Sequence, residues 1–185
     1  MSECLTPEQK AIQGSLEAAN INPKSFLATD YLNHYNEIAM LLEMVPDMPE
    51  LAEDAFGWQP KSYVQHFRDS GFAAKELAED AFNLAPDDVR GAFDQVSGDL
   101  DTLIMGTLKA LQQVNATERG LSPEAQEFTR RRVSEIQETL LRLNKVIHGK
   151  PMEALADHDL AQSRSAPAPE ASDAQTQEDI DKLFD

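Results

Sequence analysis

The sequence has little of what builds covalent or metal-held folds. A single cysteine, Cys4, excludes an internal disulfide and any multi-cysteine metal site, and it fits a reducing compartment. No apolar run approaches the ~20 residues that a membrane span requires. Residues 1–10 show no basic stretch followed by an apolar block, so no secretory signal is expected. The eight glycines are dispersed, without a G-x-x-x-x-G-K, G-x-G-x-x-G or Gly-x-Ser-x-Gly arrangement. Phosphate-cradling loops and nucleophile elbows are thereby excluded. Basic residues are scarce as well: 16 Lys and Arg stand against 33 Asp and Glu, a formal net charge of −17. Affinity for DNA rests largely on cations that neutralise phosphates, so nucleic acid is not an expected partner. The expectation is a cytoplasmic protein, away from membranes and nucleic acid, with no metal and no cofactor.

What is present is a helical pattern. Hydrophobic residues make up 41% of the chain, enough to bury a core. Thr6-Pro7-Glu8-Gln9 reads as an N-cap, a proline at the first helical position and a capping-box glutamine, opening a helix that stops near Asn20. Asn22-Pro23 reads as the next start, with Leu27, Tyr31, Tyr35, Ile38, Leu42 and Val45 forming one apolar stripe up to Pro46. The heptapeptide Glu50-Leu51-Ala52-Glu53-Asp54-Ala55-Phe56 recurs as Glu76-Leu77-Ala78-Glu79-Asp80-Ala81-Phe82. Two copies are too few for a solenoid, so they read as two short helices with Leu and Phe on the buried face. A long helix from Asp87 to about Val114 and another from Ser122-Pro123 to about His148 carry stripes at steps of four and three. The short connection at 115–121 implies an antiparallel helical hairpin. Such a seam must be covered by the N-terminal helices or by a second copy, and a homodimer through 87–148 is expected. The fold class is all-α: a helical bundle over 1–161, a linker over 162–175 and a short helix over 176–185.

The linker follows from composition. Residues 162–175 hold Ser163, Ser165, Pro167, Pro169 and Ser172 but no large apolar side chain, so burial cannot offset the entropy of ordering them. At 176–185 Thr176 supplies an N-cap and Glu178 and Asp179 favour the first turn. Ile180, Leu183 and Phe184 fall at i, i+3 and i+4 and share one face. Ten residues do not sustain a helix alone in water, whereas helix-in-groove recognition uses this spacing. The run Thr176-Gln177-Glu178-Asp179-Ile180-Asp181-Lys182-Leu183-Phe184 resembles the receiver-binding peptides of bacterial chemotaxis, found in the flagellar switch protein FliM and at the C-terminus of the CheZ phosphatase. That resemblance implies docking on a CheY-like response-regulator receiver domain, with Ile180, Leu183 and Phe184 as apolar anchors and Asp179 and Asp181 meeting basic receiver residues. A CheZ-like protein also combines a dimerised helical hairpin with a linker and a terminal docking helix. The second long helix here lacks that family's Asp-x-x-x-Gln arrangement, on which its hydrolysis of phospho-aspartate depends. The function expected is receiver binding in chemotaxis or another two-component pathway, as adaptor or phosphate sink. Phosphatase activity is one alternative, and a structural coiled-coil protein whose tail caps its own bundle is another.

Candidate chemistry elsewhere centres on residues 30–37. Asp30, Asn33, His34 and Glu37 fall within two helical turns, so an acid and an amide on one face can position water, and His34 is a potential phosphoryl acceptor or metal ligand. The weak catalytic candidates are Asp30, Asn33 and Glu37, against the bland reading of a solvated helix face. His34, His66, His148 and His158 read as lone surface histidines, and Met40, Met44 and Met48 as core filling or, alternatively, an adaptable binding strip. Trp58 reads as a packing residue, and Arg130-Arg131-Arg132 as an ion-paired helix face or, alternatively, a phosphate clamp.

Overall fold

Residues 5–149 are described by the computed structural model. They are mostly helical and contain no strand, only an isolated antiparallel bridge between Ile21 and Ala28. The helices are α1 (Pro7–Leu16), α2 (Leu32–Met44), α3 (Ala52–Ala55), α4 (Tyr63–Asp69), α5 (Lys75–Leu84), α6 (Asp87–Gln113), α7 (Ala116–Arg119) and α8 (Pro123–Ile147). No helix among the described residues is long and apolar enough to cross a membrane. The linker at 162–175 and the segment 176–185 lie outside the described residues, as do Cys4 and His158.

Side-chain caps start three of the helices, α1, α4 and α8. The Thr6 hydroxyl accepts from the Gln9 backbone amide at 3.2 Å, and the Gln9 side chain returns the bond to the Thr6 amide at 2.8 Å. The same glutamine donates to the Leu84 carbonyl at 2.8 Å and so ties α1 to α5. Ser122 caps α8 by accepting from Ala125, with Pro123 in the first turn, where its missing N–H has no helical partner to lose. α8 stops at Gly149, whose φ of +67° is a left-handed turn; a Cβ there would meet Lys24 Cβ at 3.1 Å. Beside it the buried Ser25 hydroxyl donates to the Ile147 carbonyl, one of the acceptors left open at a helix end.

Asn22-Pro23 does not start α2. The Asn22 side chain accepts from the Lys24 and Ser25 amides at 2.9 and 3.1 Å, an Asx turn, while its own amide donates to the Leu27 carbonyl at 2.9 Å. The chain therefore doubles back, and α2 begins at Leu32 after a 3-10 turn at Thr29–Tyr31. Phe26 sits in this turn at φ +63°, an unfavourable region for a bulky residue, with its side chain fully buried.

α2 divides cleanly into two faces. Tyr31, just ahead of it, then Tyr35, Ile38, Leu42 and Val45 are buried, as the stripe requires. Met40 and Met44 lie on the other side and Met48 follows the end of the helix; all three are exposed, Met40 by 63%, so core filling does not hold. The repeats also differ from expectation. Their buried positions are Ala52 with Ala55 and Ala78 with Ala81, whereas Leu51, Phe56, Leu77 and Phe82 are only half-buried. Small side chains at i and i+3 allow the backbone to approach its neighbours closely, which the larger residues then flank.

α6 and α8 pack together, and α2 packs on α8 as well. The stripe of α8 is buried at Thr129, Val133, Ile136, Leu143 and Ile147, and its seam is closed within a single chain. The three arginines of α8 point in different directions because successive helical residues turn by about 100°. Arg130 pairs with Asp47 at 2.9 Å, and Arg131 lies over the Phe128 ring at 5.9 Å. Arg132 pairs with Glu135 at 2.6 Å and reaches the Leu103 carbonyl on α6 at 3.3 Å. The three side chains thus take separate partners. Burial predicts the ranking of substitutions on α8. Ile136→Ala should destabilise by about 2–5 kcal/mol in urea unfolding, whereas exposed Leu141→Ala should stay within ~0.5 kcal/mol.

Candidate functional site

The polar cluster at 30–37 is sorted by the helix into an outer and an inner set. Asn33 and Glu37 are exposed, and Asp30 is half-buried at the start of the helix. The Asn33 amide donates to Asp30 Oδ1 at 3.1 Å, and the second carboxylate oxygen of Asp30 meets His66 Nε2 at 3.2 Å. One carboxylate thus holds an exposed amide on one side and an imidazole from α4 on the other. The Asn33 carbonyl oxygen still has acceptor capacity for water. Asp30 and Asn33 are brought together as the spacing suggests, with Glu37 one turn further along the same exposed side.

His34 and His66 depart from expectation, whereas His148 is exposed as expected. His34 turns inward, 9% exposed, and stacks on Trp58 with ring centroids 4.9 Å apart. Trp58 in turn donates its indole N–H to the His34 carbonyl at 3.1 Å. His66 lies edge-on to Tyr31 at 5.4 Å and 6.0 Å from His34. Neither is a lone surface group. The sequence offered no signal for this pairing, since His66 meets Asp30 across 36 residues and two helices. Among the described residues no group of three or more His, Cys, Asp or Glu converges on a metal position.

Burial dominates the electrostatics beneath this surface. The Tyr31 hydroxyl is pushed up to about 12, chiefly by burial, and the Tyr35 and Tyr63 hydroxyls are raised for the same reason. Burial also raises the Asp101 carboxyl, which accepts from Tyr35 at 2.9 Å. His34 is pushed down to about 4, first by burial and then by the neighbouring His66 and Lys61, against a hydrogen bond to the Gln59 backbone. Its Nε2 is buried without a partner, so a second ring proton would be desolvated and unpaired, and His34 is neutral at pH 7. The docking residues Asp179, Ile180, Asp181, Leu183 and Phe184 lie outside the described residues.

Comparison with protein-family models, with curated proteins and with solved structures finds no match. The chemistry therefore rests on the residues themselves: an exposed, carboxylate-held amide above a layer of aromatic rings and imidazoles. That arrangement can position a water molecule.

The depressed His34 value fixes a sign. The unfolded chain takes up a proton near the ordinary histidine value of 6.5, and the folded chain only near 4. Stability should therefore fall as pH is lowered from about 6.5 to about 4, because the unfolded state binds more protons there. In urea unfolding across that window a His34→Gln variant should lose this component of the slope; an unchanged slope would show that His34 does not cause it.

Proposed function

We propose that this chain is a helical-bundle signalling protein that binds a CheY-like receiver domain through residues 176–185 and so modulates chemotaxis or another two-component pathway. The observation that carries the reading is the run Asp179-Ile180-Asp181-Lys182-Leu183-Phe184, with its apolar anchors at i, i+3 and i+4, following a Ser, Pro and Ala-rich stretch. In this proposal α6 and α8 form an antiparallel hairpin that serves as the scaffold, in a cytoplasmic homodimer. Because α2 already covers α8 in cis, the second copy would dock on exposed residues such as Met105 and Val114, 37% and 46% exposed.

A second reading, dephosphorylation of the bound receiver, is favoured by the Asp30–Asn33–His66 array. An amide fixed by a carboxylate is suited to orienting water beside a phospho-aspartate, a role of positioning and electrostatics, not of covalent attack. Asn33 is the residue that would touch the water, Asp30 would hold it, and Glu37 would stand at the edge.

Calorimetric titration of the full chain with CheY-type receiver domains tests the docking. Ile180→Ala and Phe184→Ala should each weaken binding about tenfold or more, the ~1.4 kcal/mol expected at least of a buried anchor. Binding that survives both substitutions would refute the tail's role. For the second reading, Asn33→Ala should lengthen the receiver phosphate lifetime by on the order of 100-fold while leaving affinity unchanged. A lifetime insensitive to the added protein would remove the enzymatic reading and leave the docking one intact.

A further inference from the structure

Between residues 60–64, α5 and α6 lies an open cavity of about 350 Å³, a volume within the usual range of small-ligand pockets. Its floor is aromatic, formed by Tyr31, Tyr63, Phe82 and Phe93. Tyr63 and Phe82 stack with centroids 4.6 Å apart, and Phe93 stands edge-on to both. One wall is a single face of α6, on which Asp94, Gly98 and Asp101 fall at i, i+4 and i+7. The two aspartates are therefore spaced by about 10 Å along the helix axis. Gly98, between them, keeps the wall open: a Cβ there would meet nothing within 4 Å.

Hydrogen bonding and charge select the occupant. The Tyr31 and Ser97 hydroxyls already donate to the Lys61 and Phe93 carbonyls, at 2.7 and 2.8 Å. Among the described residues no side chain pairs with the exposed Asp94 carboxylate, and of Asp101 only one oxygen is engaged, by Tyr35 at 2.9 Å. The one cation of the lining, Lys61, is itself held by Asp69 at 3.0 Å. On α6 the cations are Arg90, one turn before Asp94 and paired with Asp87, and Lys109, two turns beyond Asp101. What the cavity offers is thus open carboxylate acceptors at its two ends and ring surface between them. Carboxylates favour charged N–H donors, and aromatic faces attract cations. Burial first, then the charges of Asp101 and Asp94, push up the Tyr31 hydroxyl, so both carboxylates act on the floor. We propose that this cavity binds a linear aliphatic polyamine, with one ammonium group on Asp94, another on Asp101, and the methylenes crossing Gly98 and the aromatic floor. An anion would be repelled here, and a single metal ion would meet only one of the two carboxylates at this spacing. The site is separate from the receiver-docking role of residues 176–185 and does not rest on it.

The test titrates the full chain with spermidine at fixed ionic strength and follows the backbone amides of Ser97 and Asp101 by nitrogen-15 NMR. These signals should shift saturably. Butylamine, with a single ammonium group, should bind about tenfold more weakly or less, and Mg²⁺ at equal charge should leave the signals in place. Gly98→Leu puts a side chain into the cavity without changing charge. It should keep or raise the thermal midpoint, since leucine favours a helix interior over glycine, and weaken spermidine binding by about tenfold or more. Asp94→Asn should weaken it about three- to fivefold. Asp99→Asn removes the same charge from an exposed position outside the lining and should leave affinity unchanged. Binding that survives Gly98→Leu would overturn the proposal. Equal losses in Asp94→Asn and Asp99→Asn, or equal shifts with Mg²⁺, would show counter-ion attraction to an acidic chain only, and would overturn it as well.

Discussion

The burial of the Tyr31 phenol is the constraint on which the rest of the structure turns. Its ring meets Tyr35, Tyr63, His66 and Phe93 at centroid distances of 5.1–5.5 Å, so one side chain joins α2, α4 and α6. A buried hydroxyl needs partners, since leaving it unpaired costs about 1–3 kcal/mol. Tyr31 donates to the Lys61 carbonyl at 2.7 Å, and Tyr35 donates to Asp101 at 2.9 Å. The third contact, between the two hydroxyls, is 3.3 Å. With Asp101 ionised, two protons serve three contacts, and the longest is the one without a proton of its own. Burial raises the Asp101 carboxyl, and its protonated form completes a one-way chain from Asp101 through Tyr35 and Tyr31 to the Lys61 carbonyl.

This inner layer dictates what the outer layer can present. With Tyr31, Tyr35 and Ile38 committed inward, helical geometry turns Asn33, Glu37 and Met40 outward. His66, packed against Tyr31, is where Asp30 can reach it, and Asp30 in turn holds Asn33. His34 is the counterpart that chemistry cannot use: stacked on Trp58 and lacking a partner at Nε2, it fills space as a neutral ring. In the acid range the two buried groups pull in opposite senses. His34 withdraws stability as pH falls toward 4, while a raised Asp101 contributes stability below its folded value and loses it as pH rises through it.

Elements whose signals are local were readable from sequence. Thr6 with Gln9, Ser122 with Pro123, and the stripes of α6 and α8 each involve residues within one or two turns, where capping and periodicity act. Asn22-Pro23 misleads because an asparagine oxygen can accept amides either at a helix start or in an Asx turn; the return of the chain to the end of α8 through Ser25 decides between them, and that is a tertiary contact. The repeat shows the limit of hydrophobicity as a guide: close packing selects Ala52, Ala55, Ala78 and Ala81 for full burial. Methionine is ambiguous by nature, apolar enough for a core and soft enough for a surface. Of the candidate site, the Asp30–Asn33 pair was legible at i, i+3, whereas His66 was not, because nothing local records a partner 36 residues away.

The docking claim is tested most directly by hydrogen–deuterium exchange on the full chain, with and without a saturating CheY-type receiver domain. Slowed exchange across residues 176–185, with the α6 and α8 interior unchanged, is the result the account predicts. Exchange in 176–185 that stays the same when receiver is bound elsewhere on the chain, or when none binds, would contradict it.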